Sequence, residues 1–415
     1  MAFLSSSRAK TWYSSPTGSA AGTGTIDDPK DVDSGLGNTM PGDTLRLLSG
    51  TYPAFSTVRN GISGSPITIE PATGAEVVIN GRMQILHNYT TFNGKYQIEL
   101  FDDTFTDRSA DTVQGMDGMD ISGHNCKIVN LRMHDYKFGI LAGASVEGLE
   151  LYGNLLSLIG FDDNNGQTIY MQNTLQWKKF IHNILTDNFA YHFHLWGASG
   201  DVNYMWLEKN ISINAGSIRN GLTPNYLVGG QKPNTGHKIF GNIGYGGSVN
   251  QVGYGVDNTV TGAEIYDNIF NSPIALRLIT CVPDRLDGND LFGSIDGFDS
   301  GDWLENTYGL EAVIPDQFIL QPNIYTVGFA SLVIFNKITS ANTVTVNVSN
   351  VYVSGDNLKL HNAQNWADVL ELTVSELGTI DIDMRAISHS TATPQGWTAP
   401  ATTFPTFGCF VVEKA

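Results

Sequence analysis

Residues Asn165 to Asn188 read NGQTIYMQNTLQWKKFIHNILTDN, and residues Phe189 to Gly216 continue with FAYHFHLWGASGDVNYMWLEKNISINAG. The second line nearly repeats the first. Each opens on alternating residues, Thr168-Ile169-Tyr170-Met171-Gln172 and His192-Phe193-His194-Leu195-Trp196. Alternation puts Ile169, Met171, Phe193 and Leu195 on one face of a strand and their polar or aromatic neighbours on the other. Each copy then passes a turn and a second extended stretch, and ends on Asn followed by an aliphatic residue, Asn183-Ile184 and Asn210-Ile211. A third short strand completes the unit.

The same pair recurs at Asn130-Leu131, Asn154-Leu155, Asn242-Ile243 and Asn268-Ile269, with spacings of 24, 29, 27, 32 and 26 residues along the series. A repeat of this length marks stacked supersecondary units, and a unit of three short strands cannot bury its apolar face alone. The units must coil. Asn tolerates the left-handed corner conformation, and stacked Asn amides can pair from turn to turn. The expected fold is all-β: a right-handed parallel β-helix of roughly ten rungs.

Composition agrees with short strands and turns. Among 415 residues there are 45 glycines but only 23 Lys+Arg. The formal net charge of -18 argues against a nucleic-acid partner and an anionic membrane surface, both of which need a basic face. No run is apolar for the length of a membrane span. Cys126, Cys281 and Cys409 are odd in number and far apart, and read as small buried residues. The first residues, MAFLSSSRAKTWYSS, have no apolar stretch of signal-peptide length. The expected location is extracellular or a virion surface, reached by lysis, by another export route, or after removal of a leader.

In chain order, residues 1–10 read as an arm, 11–303 as the solenoid with its N-terminal cap, and 304–415 as a small C-terminal antiparallel β domain that covers the solenoid's open C-terminal end. The last rests on alternation at 344–348, 380–384 and 407–413. SPTGS at 15–19, GTGT at 22–25 and PGDTLRLLSGTY at 41–52, with HFHLWGASG, NYLVGG and QVGYG further on, resemble rungs of the pectate-lyase-like right-handed β-helix superfamily. The resemblance spans roughly residues 11 to 300. It implies the fold, and it implies a group that includes polysaccharide lyases, glycoside hydrolases, epimerases and phage tailspikes. The Arg/Lys motifs of the lyases do not match position by position.

With Ile169, Phe193 and Leu276 inward, alternation sends Tyr170, His192, His194, Trp196, Gln251 and Arg277 outward on one lateral sheet. Such a face suits sugar rings, with Tyr170, Trp196, Gln251 and Arg277 as binding residues. Asp162, Asp163 and Asp187 precede the two opening strands and would overhang that sheet as the three candidates for the carboxylate pair of a glycosidase, with His192 and His194 as further acid/base groups. The aspartate-rich stretch from Asp284 to Asp302 offers Asp287 and Asp290 to calcium, although Asp-Gly turns account for it without a metal. No cofactor is required. Two functions follow as expectations. The first is a carbohydrate-binding, hydrolase-like protein acting on a polysaccharide or cell-surface glycan. The second is a non-enzymatic structural or receptor-binding virion protein, a phage spike or capsid decoration associated as a homotrimer or with other virion proteins.

Overall fold

A computed structural model of the chain describes residues 9–109, 115–162, 166–219 and 221–415. The expected arm falls mostly outside them, as does Asp163. Three parallel sheets run the length of a right-handed β-helix. The first has eleven strands, from Thr11–Ser14 to Arg285–Asp287. The second runs from Gly50–Pro53 through Arg132–His134, Leu155–Ser157, Ile184–Thr186, Ile211–Ile213 and Ile243–Tyr245 to Thr307–Gly309. The third runs from Met83–Ile85 through Asp117–Ile121, Phe138–Ala142, Ile169–Met171, Phe193–Leu195, Tyr226–Val228 and Val249–Val252. Inward residues of all three, among them Ile69, Ile128, Leu156, Leu185, Met171 and Phe193, form one continuous core. The helix Val32–Asn38, capped by the Asp31 carboxylate, lays Val32 and Leu36 against the N-terminal end of that core.

The corner between the first and second sheets carries the asparagine repeat. Asn154, Asn183, Asn210, Asn242, Asn268, Asn289 and Asn306 stack, each Nδ2 donating to the next Oδ1 at 2.7–3.0 Å. Each Oδ1 from Asn183 onward also accepts the backbone N–H of the preceding asparagine, and each Nδ2 reaches a backbone carbonyl of the rung before. Every donor and acceptor of these buried amides is therefore engaged. Two details differ from the expectation. The left-handed residue at the corners from Asn154 to Asn289 is the one before the asparagine: Gly153, His182, Lys209, Gly241, Asp267 and Gly288 all have φ between 52° and 65°. Asn130 belongs to that left-handed row, at φ 50°, because Asn154 aligns with Leu131, whose N–H bonds the Asn154 Oδ1 at 3.0 Å. The ladder gains two members at its far end that the sequence reading did not include.

The parallel strands end at Thr307–Gly309, and antiparallel pairing begins at Gln317–Pro322. A five-stranded sheet follows in the order Gln317–Pro322, Phe329–Phe335, Phe407–Lys414, Asn357–Asn362, Asn365–Thr373, with a separate pair Thr343–Asn347 and Thr379–Asp383. Alternation gives this sheet two apolar faces. One presents Leu332, Ile334, Phe410 and Val412 to Val346, Ile380 and Ile382 of the pair. The other presents Val333, Phe335, Phe407, Cys409 and Val411 to Leu155, Ile184, Ile211, Ile243 and Tyr245 on the outside of the solenoid's second sheet.

The expectation that this domain covers the solenoid's open end is thereby corrected. It lies along the side, tied on by Asn323 to Asn130 and Tyr325 to Glu150, and further by Gln364 to Asp187 and Tyr245 to Thr406. The aliphatic half of the repeated Asn-aliphatic pair thus faces this second core, while the next residue faces the first. That is why these strands are apolar on both faces.

Candidate functional site

The outer face of the third sheet is fixed by register. Gln84, Asp120, Leu141, Tyr170, His194, Leu227, Gln251, Arg277 and Asp296 form one lateral row, one per rung. Rungs stand about 4.8 Å apart. Tyr170 and His194 are half-buried neighbours with ring centroids 5.3 Å apart. Trp196, just past the end of the same strand, stacks on His194 at 5.5 Å and 12°. Two rings the sequence reading did not single out extend the platform: Tyr191 stacks on His194 at 4.5 Å, and Tyr254 meets Trp196 edge-on at 5.7 Å.

Two predicted members of this face are not presented on it. Gln251 keeps the row but is 6% exposed, its Nε2 donating to the Gly253 carbonyl. His192 sits in the corner before its strand, fully buried, its Nδ1 2.8 Å from Ser212 Oγ. Burial pushes His192 down to about 3 and His194 to about 4, so both imidazoles are neutral at pH 7 and neither holds a proton to give. Arg277 reaches the surface but its guanidinium pairs with Asp296 at 2.7 Å.

Ahead of Tyr170 the same face opens into a cavity of about 410 Å³ lined by Arg82, Gln84, Asp120, Ser122, Gly143, Tyr170 and Gln172. Arg82 forms an ion pair with Asp120 and lies 3.7 Å from Asp117. Burial raises the Asp117 carboxyl above its ordinary range, against the pull of the Arg82 and Lys137 charges. Gln172 donates to the Tyr170 hydroxyl at 3.2 Å. Beneath the rim, inside the solenoid, Lys178 donates to the Gly143 carbonyl at 2.7 Å and to the Gln172 carbonyl. It is wholly buried, and burial lowers its ammonium to about 7. Sequence reasoning missed Arg82, Asp117, Asp120 and Lys178. The signal for Lys178 was its place two residues before the inward Phe180.

The predicted catalytic carboxylates do not converge on this face. Asp187 is buried under the C-terminal domain, where its carboxylate accepts from Gln364 Nε2 at 2.7 Å, Ser217 Oγ at 2.9 Å and Thr186 Oγ1 at 2.9 Å. Its desolvation lifts it to about 6. Asp162 is exposed, beside Arg219 and Trp397. Asp163 lies outside the described residues. Asp287 is held in a fork by Arg285 Nε and Nη2 at 2.8–3.0 Å, and Asp290 stands past the Asn289 corner on the next strand. Among the described residues no three His, Cys, Asp or Glu side chains are grouped as a metal site.

A second polar cluster lies where the C-terminal domain meets the solenoid. His134 stands between Glu99 at 2.8 Å and Asp135 at 2.7 Å, next to Arg132, which is 3.0 Å from Glu99. Burial opposes its protonation, but the two carboxylates outweigh that and raise it to about 9. A protonated imidazole with both nitrogens committed cannot act as a base. Arg108, wholly buried, joins Asp135 to the Leu158, Gly160 and Gln395 carbonyls. This cluster fastens the two parts of the molecule together.

No protein-family model matches the chain, and no curated protein matches it. Solved structures do. The chain is similar to a pectate lyase, Pel9A, with 14% identity over 74% of this chain and 81% of that one, at a TM-score of 0.41. It is also similar to an alginate lyase from Paenibacillus sp. str. FPU-7, with 15% identity, 72% and 98% coverage and a TM-score of 0.43. A lacto-N-biosidase from Eubacterium ramulus matches with 13% identity, 72% and 68% coverage and a TM-score of 0.36. At such identities and TM-scores the chemistry of those proteins does not transfer to this chain.

Proposed function

We propose that the protein binds a polysaccharide or cell-surface glycan along the outer face of the third sheet and hydrolyses it with Asp117 and Asp120 beside Arg82. The observation that carries the reading is the contiguous run from the Arg82 cavity through Tyr170 to the His194–Trp196 stack. Sugar C–H faces stack on such rings while hydroxyls reach amides, carboxylates and guanidinium groups. Asp117 holds its proton more readily than an ordinary carboxyl, and Asp120 faces the same guanidinium. One carboxylic acid to protonate the leaving oxygen and one carboxylate to act opposite it is the division a glycosidase needs. Such a protein works outside the cell or on a virion surface.

The test is glycan-array binding with reducing-end release for the wild type beside Asp117→Asn, Asp120→Asn and Tyr170→Ala. Tyr170→Ala is expected to weaken binding. Asp117→Asn is expected to keep binding and lose about 10²–10⁴-fold in turnover. Binding without turnover in the wild type would replace the hydrolase with a receptor-binding module of the spike kind. No binding over a broad panel would sink the reading altogether.

A further inference from the structure

The C-terminal segment does more than cover the solenoid. Gln395 donates its backbone N–H to Asp135 Oδ1 at 2.9 Å and accepts Arg108 Nε at 2.9 Å, and Gly396, at φ 66°, packs so close that a Cβ would stand 1.6 Å from the Thr106 carbonyl. Only glycine fits that approach. Trp397 is seated by Nε1 donating to the Ile218 carbonyl at 3.2 Å and by an edge contact to Phe189 at 5.5 Å. The segment is therefore held in place from both sides. In front of it opens a cavity of about 670 Å³ lined by Asp162, Ile218, Arg219, Thr393, Trp397 and Thr398.

Arg219 forms no ion pair among the described residues, and the Asp162 side chain is exposed with no hydrogen bond to them. One stretch of chain joins the cavity to the aromatic platform: the Asn188 carbonyl accepts the Ile218 N–H at 3.3 Å, Phe189 meets the Trp397 ring, and Tyr191 follows two residues on. Tyr191 in turn stacks on His194, so residues 188–191 lead from the wall of the cavity to the edge of the platform.

We infer that Asp162, Arg219 and Trp397 form a second carbohydrate subsite, continuous with the platform across Tyr191, which takes a sugar unit several residues along a chain bound at Tyr170. The indole offers a ring face, Asp162 accepts from hydroxyls, and the Arg219 fork donates to a pair of oxygens. The inference rests on the glycan-binding reading above and adds that the C-terminal domain sets the length of chain recognised.

The test uses the full chain on an array of neutral and acidic oligosaccharides in matched short and long forms. Trp397→Ala and Arg219→Gln are expected to weaken the long forms about two- to tenfold, the worth of one ring contact, and leave the short forms unaltered. Gly396→Ala, which dislodges the segment without touching the subsite's side chains, should reproduce Trp397→Ala. Arg219→Lys should restore part of the loss. Tyr170→Ala should weaken short and long forms alike, so failure of the groove reading looks different from failure of this one. Unaltered long-form binding in both Trp397→Ala and Arg219→Gln overturns the subsite. So does equal weakening of short and long forms, and Arg219→Gln, at a partly exposed side chain with no ion pair to the described residues, keeps that outcome separable from misfolding.

Discussion

Two cations, Lys178 wholly buried and His134 half-buried, show how much a single residue decides here, and they carry opposite signs. Lys178 titrates near 7 in the folded chain against 10.5 when exposed, so between those values the unfolded chain holds a proton the folded one lacks. Its contribution makes stability rise with pH across that window. His134 is raised to about 9 from 6.5, so the stability it adds is complete below 6.5 and lost as pH climbs through 9. Urea titrations at a series of pH values should show Lys178→Met flattening the rise and His134→Gln flattening the fall. A wild-type slope retained in either variant would refute its assignment. Arg108 is the harsher case. Arg108→Met takes the guanidinium partner from Asp135 and the donor from two buried carbonyls, and a loss of about 3–5 kcal/mol in unfolding free energy is expected.

At the scale of the element, the asparagine ladder is a row of equivalent positions with unequal surroundings. Asn210, in the middle, shares bonds with Asn183 and Asn242 and with the Phe180 carbonyl. Asn306, at the end, is 8% exposed and has one ladder neighbour. Asn210→Ala should cost about 2–4 kcal/mol and Asn306→Ala clearly less, read from thermal or urea unfolding of both variants. Equal costs would mean the ladder is not cooperative.

This element was also the most legible in the sequence, because the amide recurs wherever the chain turns the same corner. Its ends were not. Asn130-Leu131 has the right letters one position out of register, and Asn289-Asp290 and Asn306-Thr307 lack the aliphatic partner. The outward placement of Tyr170, His194 and Trp196 followed from period-two alternation, whereas Asp187 and His192 lie in turns, where alternation says nothing about direction. Arg82 and Asp120 are 38 residues apart and meet only because their rungs are adjacent.

Taken whole, the molecule is a coil with a sheet laid along its flank, and the flank is apolar only because that sheet is there. Leu155, Ile184, Ile211 and Ile243 each gain about 1.5–3 kcal/mol from being covered. Deleting residues 317–415 should bare that stripe, giving dye-binding and self-association in light scattering. A monodisperse truncated coil with an unaltered far-UV spectrum would contradict the account.

The sequence reading reached both parts but not their arrangement, since an apolar face announces that it is covered without naming the cover. Joining them takes contacts such as Arg108 to Gln395, 287 residues apart. On a ribosome this becomes a matter of timing. Ile184 leaves the exit tunnel 227 residues before Val411, so at about 5–20 residues per second the half-made coil waits roughly 10–45 s with its flank uncovered. During that interval the nascent chain offers chaperones, or a neighbouring nascent chain, the surface that the finished protein hides.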